Sequence, residues 1–355
     1  MPFPDVLQWI CGLLLLLIGA ELSVRAAVSL ATTLGVRPLF IGLTFVALGS
    51  SAPQMAVGLQ AAFTSSADIA VGSVVGSTIF NVLVTLGLCA LIIPLRVTRQ
   101  LVRLEIPLMV VASALVLALS WNGVLGALDG AILLVGLLVY LLIVLRQSGQ
   151  RFAYRQSSGS EHSRKTGQVL LRLGALFTGI ACVVLGSHLL VAASVVIAMD
   201  LGLSERVIGL TVIAVSTSLP ALTTSLIAAL RGERDIAVGN VIGSNLFNLL
   251  GVLGITALIA PVPLSVSPNA LDFDLPVMLG VAALCMPLFY SGYRITRIEG
   301  LMLLTLYLAY GLHIVSFTTG MPLADKLERL MVQFVLPVFA VMIVFSTIRA
   351  WRRQH

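Results

Sequence analysis

One stretch of this chain occurs twice. Residues 42–87 read GLTFVALGSSAPQMAVGLQAAFTSSADIAVGSVVGSTIFNVLVTLG, and residues 209–254 read GLTVIAVSTSLPALTTSLIAALRGERDIAVGNVIGSNLFNLLGVLG, with no gap and a constant offset of 167. Of 46 aligned positions 22 are identical, among them Gly42, Thr44, Ser51, Pro53, Asp68, Gly72, Gly76, Ser77, Phe80 and Asn81. Two cores built independently would not agree so closely. The copies descend from a duplication and are expected to do paired work, so the fold has to accommodate two equivalent units.

The units lie in a chain with 59% hydrophobic and 10% charged residues and a mean hydropathy of +1.08, far more apolar surface than a soluble core of this length needs. A helical span takes about 20 apolar residues, and eleven are expected, near 6–24, 38–63, 69–94, 104–121, 124–145, 169–199, 207–230, 236–260, 273–291, 298–316 and 330–349, with a break inside the long sixth. If the N-terminus is outside, 18 of the 21 Lys and Arg fall on the inner side and only Arg206, Lys326 and Arg329 outside, a positive-inside pattern that places the C-terminus in the cytoplasm. The net charge of +6 is then a topology signal with no nucleic-acid footprint in it. The start, MPFPDVLQWICGLLLLLIGAE, has no basic flank and reads as a retained first helix rather than a signal peptide. A polar segment at 146–168 separates an N-terminal half, 1–145, from a C-terminal half, 169–320, and 321–355 holds the extra span and a basic tail. Five spans per half put the two copies in opposite orientations, an inverted repeat of the kind that places substrates near the midplane.

Polar residues inside the spans are the next signal. Pro53 lacks an N–H and frees the carbonyl of Gly49, with Ser50 and Gln54 on the same helix face beside it. Pro220 repeats the arrangement within Ser216-Thr217-Ser218. A broken helix is tolerated in lipid where its freed backbone is buried in protein or lines a polar cavity. On the following spans, Ser73, Ser77 and Asn81 are spaced by four, as are Asn240, Ser244 and Asn248, so each triplet makes a polar stripe. An asparagine in mid-bilayer is costly unless its amide is satisfied, and an inward oxygen cage would satisfy Asn81 and Asn248. Gly72 and Gly76, with Gly239 and Gly243, read as close helix contacts, and Asp68 and Asp235 as N-caps. Glu21 and Arg25 form an i,i+4 pair. At the repeat offset Glu21 matches His188, and both can titrate. Cys11, Cys89, Cys182 and Cys285 read as reduced packing residues.

The pattern GLT…(G/S)(S/T)S-x-P…D-I-A-V-G-x-x-x-G-S-x-x-F-N resembles the α-repeats of the calcium/cation antiporter superfamily, the sodium/calcium exchangers, most closely its bacterial members. The resemblance implies an all-α polytopic fold with an inverted five-plus-five helix core, and the eleventh expected helix lies outside that core. It implies exchange of Na⁺ for Ca²⁺ by alternating access in the plasma membrane, the bacterial inner membrane. Carried over by position, the cation ligands are Ser50, Ser51, Ser77 and Asn81 in one half and Thr217, Ser218, Ser244 and Asn248 in the other, with the backbone carbonyls of Ala47 and Ala214. Inorganic cations and the lipid bilayer are the implied partners, and no cofactor is implied.

The residue after each repeat proline departs from the family. It is normally Glu in both halves, whereas here it is Gln54 in one, counted with the ligands, and Ala221 in the other. Ca²⁺ sites are tuned by their number of carboxylates, so weakened Ca²⁺ binding is expected, and neutral oxygens suit Na⁺ or K⁺ better. Two other readings stand beside calcium/sodium exchange: monovalent cation/proton antiport with Glu21 or His188 titrating, and a membrane scaffold or sensor that transports nothing. No Ser/His/carboxylate or Cys/His arrangement has enzyme spacing, and oligomeric state leaves no signature in the sequence.

Overall fold

The computed structural model describes residues 3–63, 67–155, 162–200, 205–290 and 293–319, with Lys326 and Gln333 beyond them. Apart from Gln333, the eleventh expected span, 330–349, lies outside the described residues. Among the described residues the fold is all-helical apart from two short ribbons. Helix α1 (Phe3–Leu34) is followed by α2, which runs from Pro38 to Ser50, and α3 (Ala52–Ala62). Helix α4 (Ala67–Phe80) continues through a π-helical turn at Asn81–Leu86 into Gly87–Ile92. Helix α5 opens as a π-helical turn, Leu101–Glu105, and continues as Ile106–Leu119, and α6 (Ala127–Arg155) closes the first half. The second half holds α7 (His162–Asp200), α8 (Glu205–Leu230) and α9 (Arg234–Leu246, continued through Phe247–Val252 into Leu253–Ile259). It ends with α10 (Ala270–Asp274, then Leu275–Tyr290) and α11 (Arg297–Thr319). Among the described residues seven helices are long and apolar enough to cross a membrane, or eight when the bent pair α2 and α3 counts as one span. Helices α8 and α11 fill the other two expected places. One face of α6 carries Leu128, Ile132, Val135, Leu138, Leu142 and Leu145, all exposed, a stripe suited to lipid tails.

Helices α1 and α7 are antiparallel and meet backbone to backbone. A Cβ added at Gly12 would lie 2.6 Å from the Leu190 nitrogen and 2.9 Å from the Gly186 carbonyl; one at Gly19 would lie 2.7 Å from the Gly179 carbonyl. Gly179 and Gly186 are the repeat equivalents of Gly12 and Gly19, so each glycine packs against the counterpart of the other. Two halves of opposite orientation produce this reciprocity. Without side chains at the seam the helix axes can approach closely, and van der Waals contact replaces the hydrophobic drive that lipid cannot supply. Helix α1 stops where Gly35 adopts φ +68° and Val36 N–H bonds the Ala31 carbonyl at 3.0 Å, a left-handed glycine cap.

The ribbons repeat the reciprocity. Strand β1 (Leu95–Arg96) pairs antiparallel with β4 (Arg294–Ile295), and β2 (Val124–Leu125) with β3 (Leu264–Ser265). Helix α5 separates β1 from β2, so the ribbons lie at its opposite ends, each joining one loop from each half.

The two proline helices differ. In the first half the chain breaks at Ser51 (ψ −6°) and bends by 40° between α2 and α3. In the second, α8 passes through Pro220 without interruption, so the expected matching break is absent. Helix α7 is likewise continuous where a break was expected, because its interior holds no proline and its glycines are accommodated at the seam with α1. Helices α6 and α7 also extend into the expected 146–168 linker, leaving only 156–161 between them. Asp235 sits in the first turn of α9, where its charge meets the helix dipole, but the cap position is Glu233. The side chain of Asp68 lies outside the description. Gly239 and Gly243 do bring α9 against the backbone of α2 at Leu39 and Leu43, while Gly72 and Gly76 have no such neighbour among the described residues.

If the seam sets the approach of the halves, Gly19→Val and Gly186→Val should each cost about 1–3 kcal/mol by overpacking. A thermal midpoint in detergent that stays at the wild-type value in both variants would refute this.

Candidate functional site

The buried polar residues converge where α2, α3, α4, α8 and α9 meet. Ser50 and Ser51 at the break, Gln54 on α3, Ser77 and Asn81 on α4, Thr217 and Ser218 on α8, and Ser244 and Asn248 on α9 are all buried, none more than 6% exposed. Two hydroxyl-to-hydroxyl contacts cross between the halves. Ser50 Oγ lies 2.8 Å from Ser244 Oγ, and Ser77 Oγ lies 3.1 Å from Thr217 Oγ1. The repeat maps Ser50 onto Thr217 and Ser77 onto Ser244, so these are one contact made twice. Each holds a hydroxyl of a proline helix against one of the following helix, with no charged group involved.

The other polar atoms are anchored around this pair. Ser50 also donates toward the Ala47 carbonyl (3.1 Å) and the Asn240 Oδ1 (3.0 Å). Ser244 lies 3.5 Å from the same Ala47 carbonyl, which places that backbone oxygen at the cluster. The backbone of Ala214 lies within α8, and its surroundings are outside the description.

At the two positions where the resemblance implies glutamates, this chain carries an exchange of amides. In the first half Gln54 donates to Ser73 Oγ (2.7 Å) and accepts from Ser77 Oγ (3.0 Å), bridging α3 to α4. In the second half Ala221 leaves that space empty and Asn240, the counterpart of Ser73, fills it, donating to the Ala221 carbonyl (3.2 Å) and to Ser225 Oγ (2.9 Å). Each half therefore uses one amide, on the proline helix in one and on its neighbour in the other. Both positions that could carry a carboxylate are neutral and hydrogen-bonded.

Four oxygens remain. Ser51 Oγ, Asn81 Oδ1, Ser218 Oγ and Asn248 Oδ1 are buried with no hydrogen-bond partner among the described residues. They form two repeat-related pairs, Ser51 with Ser218 and Asn81 with Asn248. Each flanks a cross-half contact: Ser51 and Ser218 are next in sequence to Ser50 and Thr217, and Asn81 and Asn248 lie one turn beyond Ser77 and Ser244. Asn81 is held by its amide, which donates to Asn245 Oδ1 (3.0 Å), while Asn245 donates to the Met109 sulfur at 3.5 Å. Buried polar atoms without partners are rare, and a symmetric set of acceptors is chemically suited to a desolvated cation. No Asp or Glu bonds to any of these groups among the described residues.

Glu21 and His188 are not part of the cluster. Glu21 pairs with Arg25 at 2.7 Å and with Arg231 at the end of α8, and His188 lies on the exposed face of α7. Ser73, Ser225, Asn240 and Asn245 belong to the network although none stood among the expected ligands. Asn240 was visible as part of the polar stripe. Asn245 faces Thr78 in the other copy, so a comparison by identity passes over it.

The profile of the sodium/calcium exchanger protein family matches residues 5–146 and 171–316. The chain belongs to the sodium/calcium exchanger family. It is 38% identical to the inner membrane protein YrbG of Escherichia coli over 77% of this chain and 85% of that protein, and 30% identical to the sodium/calcium exchanger MaX1 of Methanosarcina acetivorans over 84% and 95%. Among solved structures it is similar to the sodium-calcium exchanger NCX_Mj, with a TM-score of 0.76 at 28% identity, over 90% of this chain and 99% of that one. Like other members of this exchanger family, the protein is an integral membrane protein of a transporter family, not of an enzyme family.

The amide exchange makes a test available. Gln54→Ala should remove the bridge between Ser73 and Ser77 and leave a cavity, costing about 2–4 kcal/mol, whereas Gln54→Ala with Ser73→Asn puts an amide where the second half has Asn240, although Gly58 stands in place of Ser225, and should recover part of the loss. Equal thermal midpoints for the single and double variants would disprove the exchange.

Proposed function

We propose that this protein is a secondary cation antiporter of the inner membrane whose central site takes Na⁺ in preference to Ca²⁺. The observation that carries the reading is the set of four unpartnered oxygens, Ser51, Asn81, Ser218 and Asn248, in a cluster with no carboxylate. Hydration of a divalent ion is far stronger than that of a monovalent one, and neutral dipoles offset its loss poorly. A cage of hydroxyl, amide and carbonyl oxygens can replace the shell of Na⁺.

Ser50, Gln54, Ser77, Thr217 and Ser244 serve in this reading both as ligands and as the frame that aims the free oxygens, with the carbonyls of Ala47 and Ala214 completing the shell. The antiparallel α1 and α7 and the reciprocal ribbons support an inverted five-plus-five arrangement, in which the halves rock about the site to expose it alternately. The N-terminus is outside and the C-terminus cytoplasmic. MaX1 and NCX_Mj, which are named as sodium/calcium exchangers, support the same reaction class here, and the neutral positions 54 and 221 support a weakened Ca²⁺ limb.

The test is ²²Na⁺ and ⁴⁵Ca²⁺ flux in proteoliposomes. Na⁺ exchange is expected with little Na⁺-driven Ca²⁺ uptake; robust Ca²⁺ uptake driven by a Na⁺ gradient would sink the preference, and no flux of either ion would sink the antiport reading. Asn81→Ala and Asn248→Ala should each weaken Na⁺ binding by on the order of tenfold, since each removes a central oxygen. Because Asn240 fills the space beside Ala221, restoring charge needs three changes: Gln54→Glu, Ala221→Glu and Asn240→Ser. That variant should tighten Ca²⁺ by on the order of tenfold or more, and unchanged Ca²⁺ binding would mean these positions do not face the ion.

A further inference from the structure

Outside the central cluster the repeat hides a second pair of ionisable residues. Glu105 ends the π-helical turn that opens α5, and Asp274 ends the π-helical turn that opens α10. Each follows its ribbon strand by nine residues and precedes a proline by two, Pro107 and Pro276. Because the ribbons lie at opposite ends of α5, Glu105 and Asp274 lie toward opposite faces of the membrane.

Their surroundings repeat as well. The Tyr140 hydroxyl of α6 is within electrostatic reach of Glu105, and Tyr310 of α11, at the equivalent place, donates to Asp274 Oδ1 at 3.0 Å. Gln100 lies within reach of Glu105 without a well-formed bond, and its counterpart Asn269 lies 3.4 Å from Asp274 Oδ2. The remaining charged or titratable neighbours are few. Arg37 contacts Gln100 at 3.4 Å with Asp235 of α9 opposite it, and His313 of α11 faces Asp274.

The pair is asymmetric in access. Glu105 is fully buried and neither of its oxygens has a hydrogen-bond partner among the described residues, whereas Asp274 is half-buried and bonded. An isolated carboxylate so placed is costly as an anion, and an intramembrane carboxyl is by default a functional group. A cavity of about 30 Å³, room for a water, is lined by Arg37, Leu43, Gln100 and Gln147. Leu43 also accepts the Tyr140 hydroxyl at 3.4 Å, so the cavity lies between the polar membrane face and the groups around Glu105.

Both carboxyls connect to the cage. Tyr140 packs edge-on against Phe247, which precedes Asn248, and Tyr310 packs on Tyr307, which packs edge-on against Phe80, which precedes Asn81. We propose that Glu105 and Asp274 are repeat-related proton-binding sites, one toward each membrane face, through which pH on each side separately controls cation exchange at the central cage. Only the transport arm of this inference rests on the antiport reading.

The test uses the full-length protein in lipid. Infrared acid titration should show protonated-carboxyl bands, one lost in Glu105→Gln and another in Asp274→Asn. In oriented vesicles, ²²Na⁺ exchange by the wild type should respond to pH at both faces, Glu105→Gln should lose the response at one face and Asp274→Asn at the other, and exchange itself should persist. Variants that keep every band and the wild-type pH response overturn the proposal. If Glu105→Gln is not recovered folded, Asp274→Asn and Tyr310→Phe decide the same question from the other half. A wild type that exchanges no cation refutes the antiport reading, and the infrared bands still decide whether these two carboxyls bind protons.

Discussion

A polar group in the hydrocarbon of a membrane has no water to turn to, so the protein must satisfy it or leave it for a ligand. This constraint organises the chain. The hydroxyls of Ser50, Ser77, Thr217 and Ser244 are satisfied across the boundary between halves, in two contacts that the repeat makes equivalent. Those contacts require the two proline helices and the two helices after them to meet at one place. The glycine seam of α1 with α7 and the close approach of α9 to α2 at Gly239 and Gly243 are how the backbones come near enough.

Within that frame, the satisfied atoms hold the cluster together, and in the proposed reading the unsatisfied ones are left for the ion. Gln54 and Asn240 have their amides engaged and act as struts. Asn81 has its amide nitrogen engaged and its oxygen free, which fixes the direction of the oxygen without occupying it. In the proposed reading, preorganised neutral dipoles of this kind spare a bound ion the cost of ordering its own shell, and they favour low charge because no fixed anion draws a divalent ion in.

Much of this could be read in the sequence, for physical reasons particular to each residue. The repeat exposed Ser51, Asn81, Ser218 and Asn248 because identical residues at a constant offset must serve equivalent places. The role of Asn240 as a filler was hidden, since it depends on the small residue at Ala221 nineteen positions earlier, and no periodicity links the two. Glu105 and Asp274 were missed because the offset lengthens by two residues just before strands β1 and β3, so a gap-free comparison ends before reaching them. The break at Ser51 and the continuity at Pro220 come from near-identical motifs. Local propensity permits either, and the packing of each helix settles which.

The amide exchange leaves the two halves unequally open to a carboxylate. Position 54 still carries a side chain of glutamate size on its own helix, so a single change could return a charge there. Position 221 has been closed by its neighbour: Asn240 occupies the space and bonds the Ala221 backbone, and a larger residue can return only after Asn240 shrinks. A charge can therefore enter one half by a single substitution, while in the other half Asn240 stands in its way.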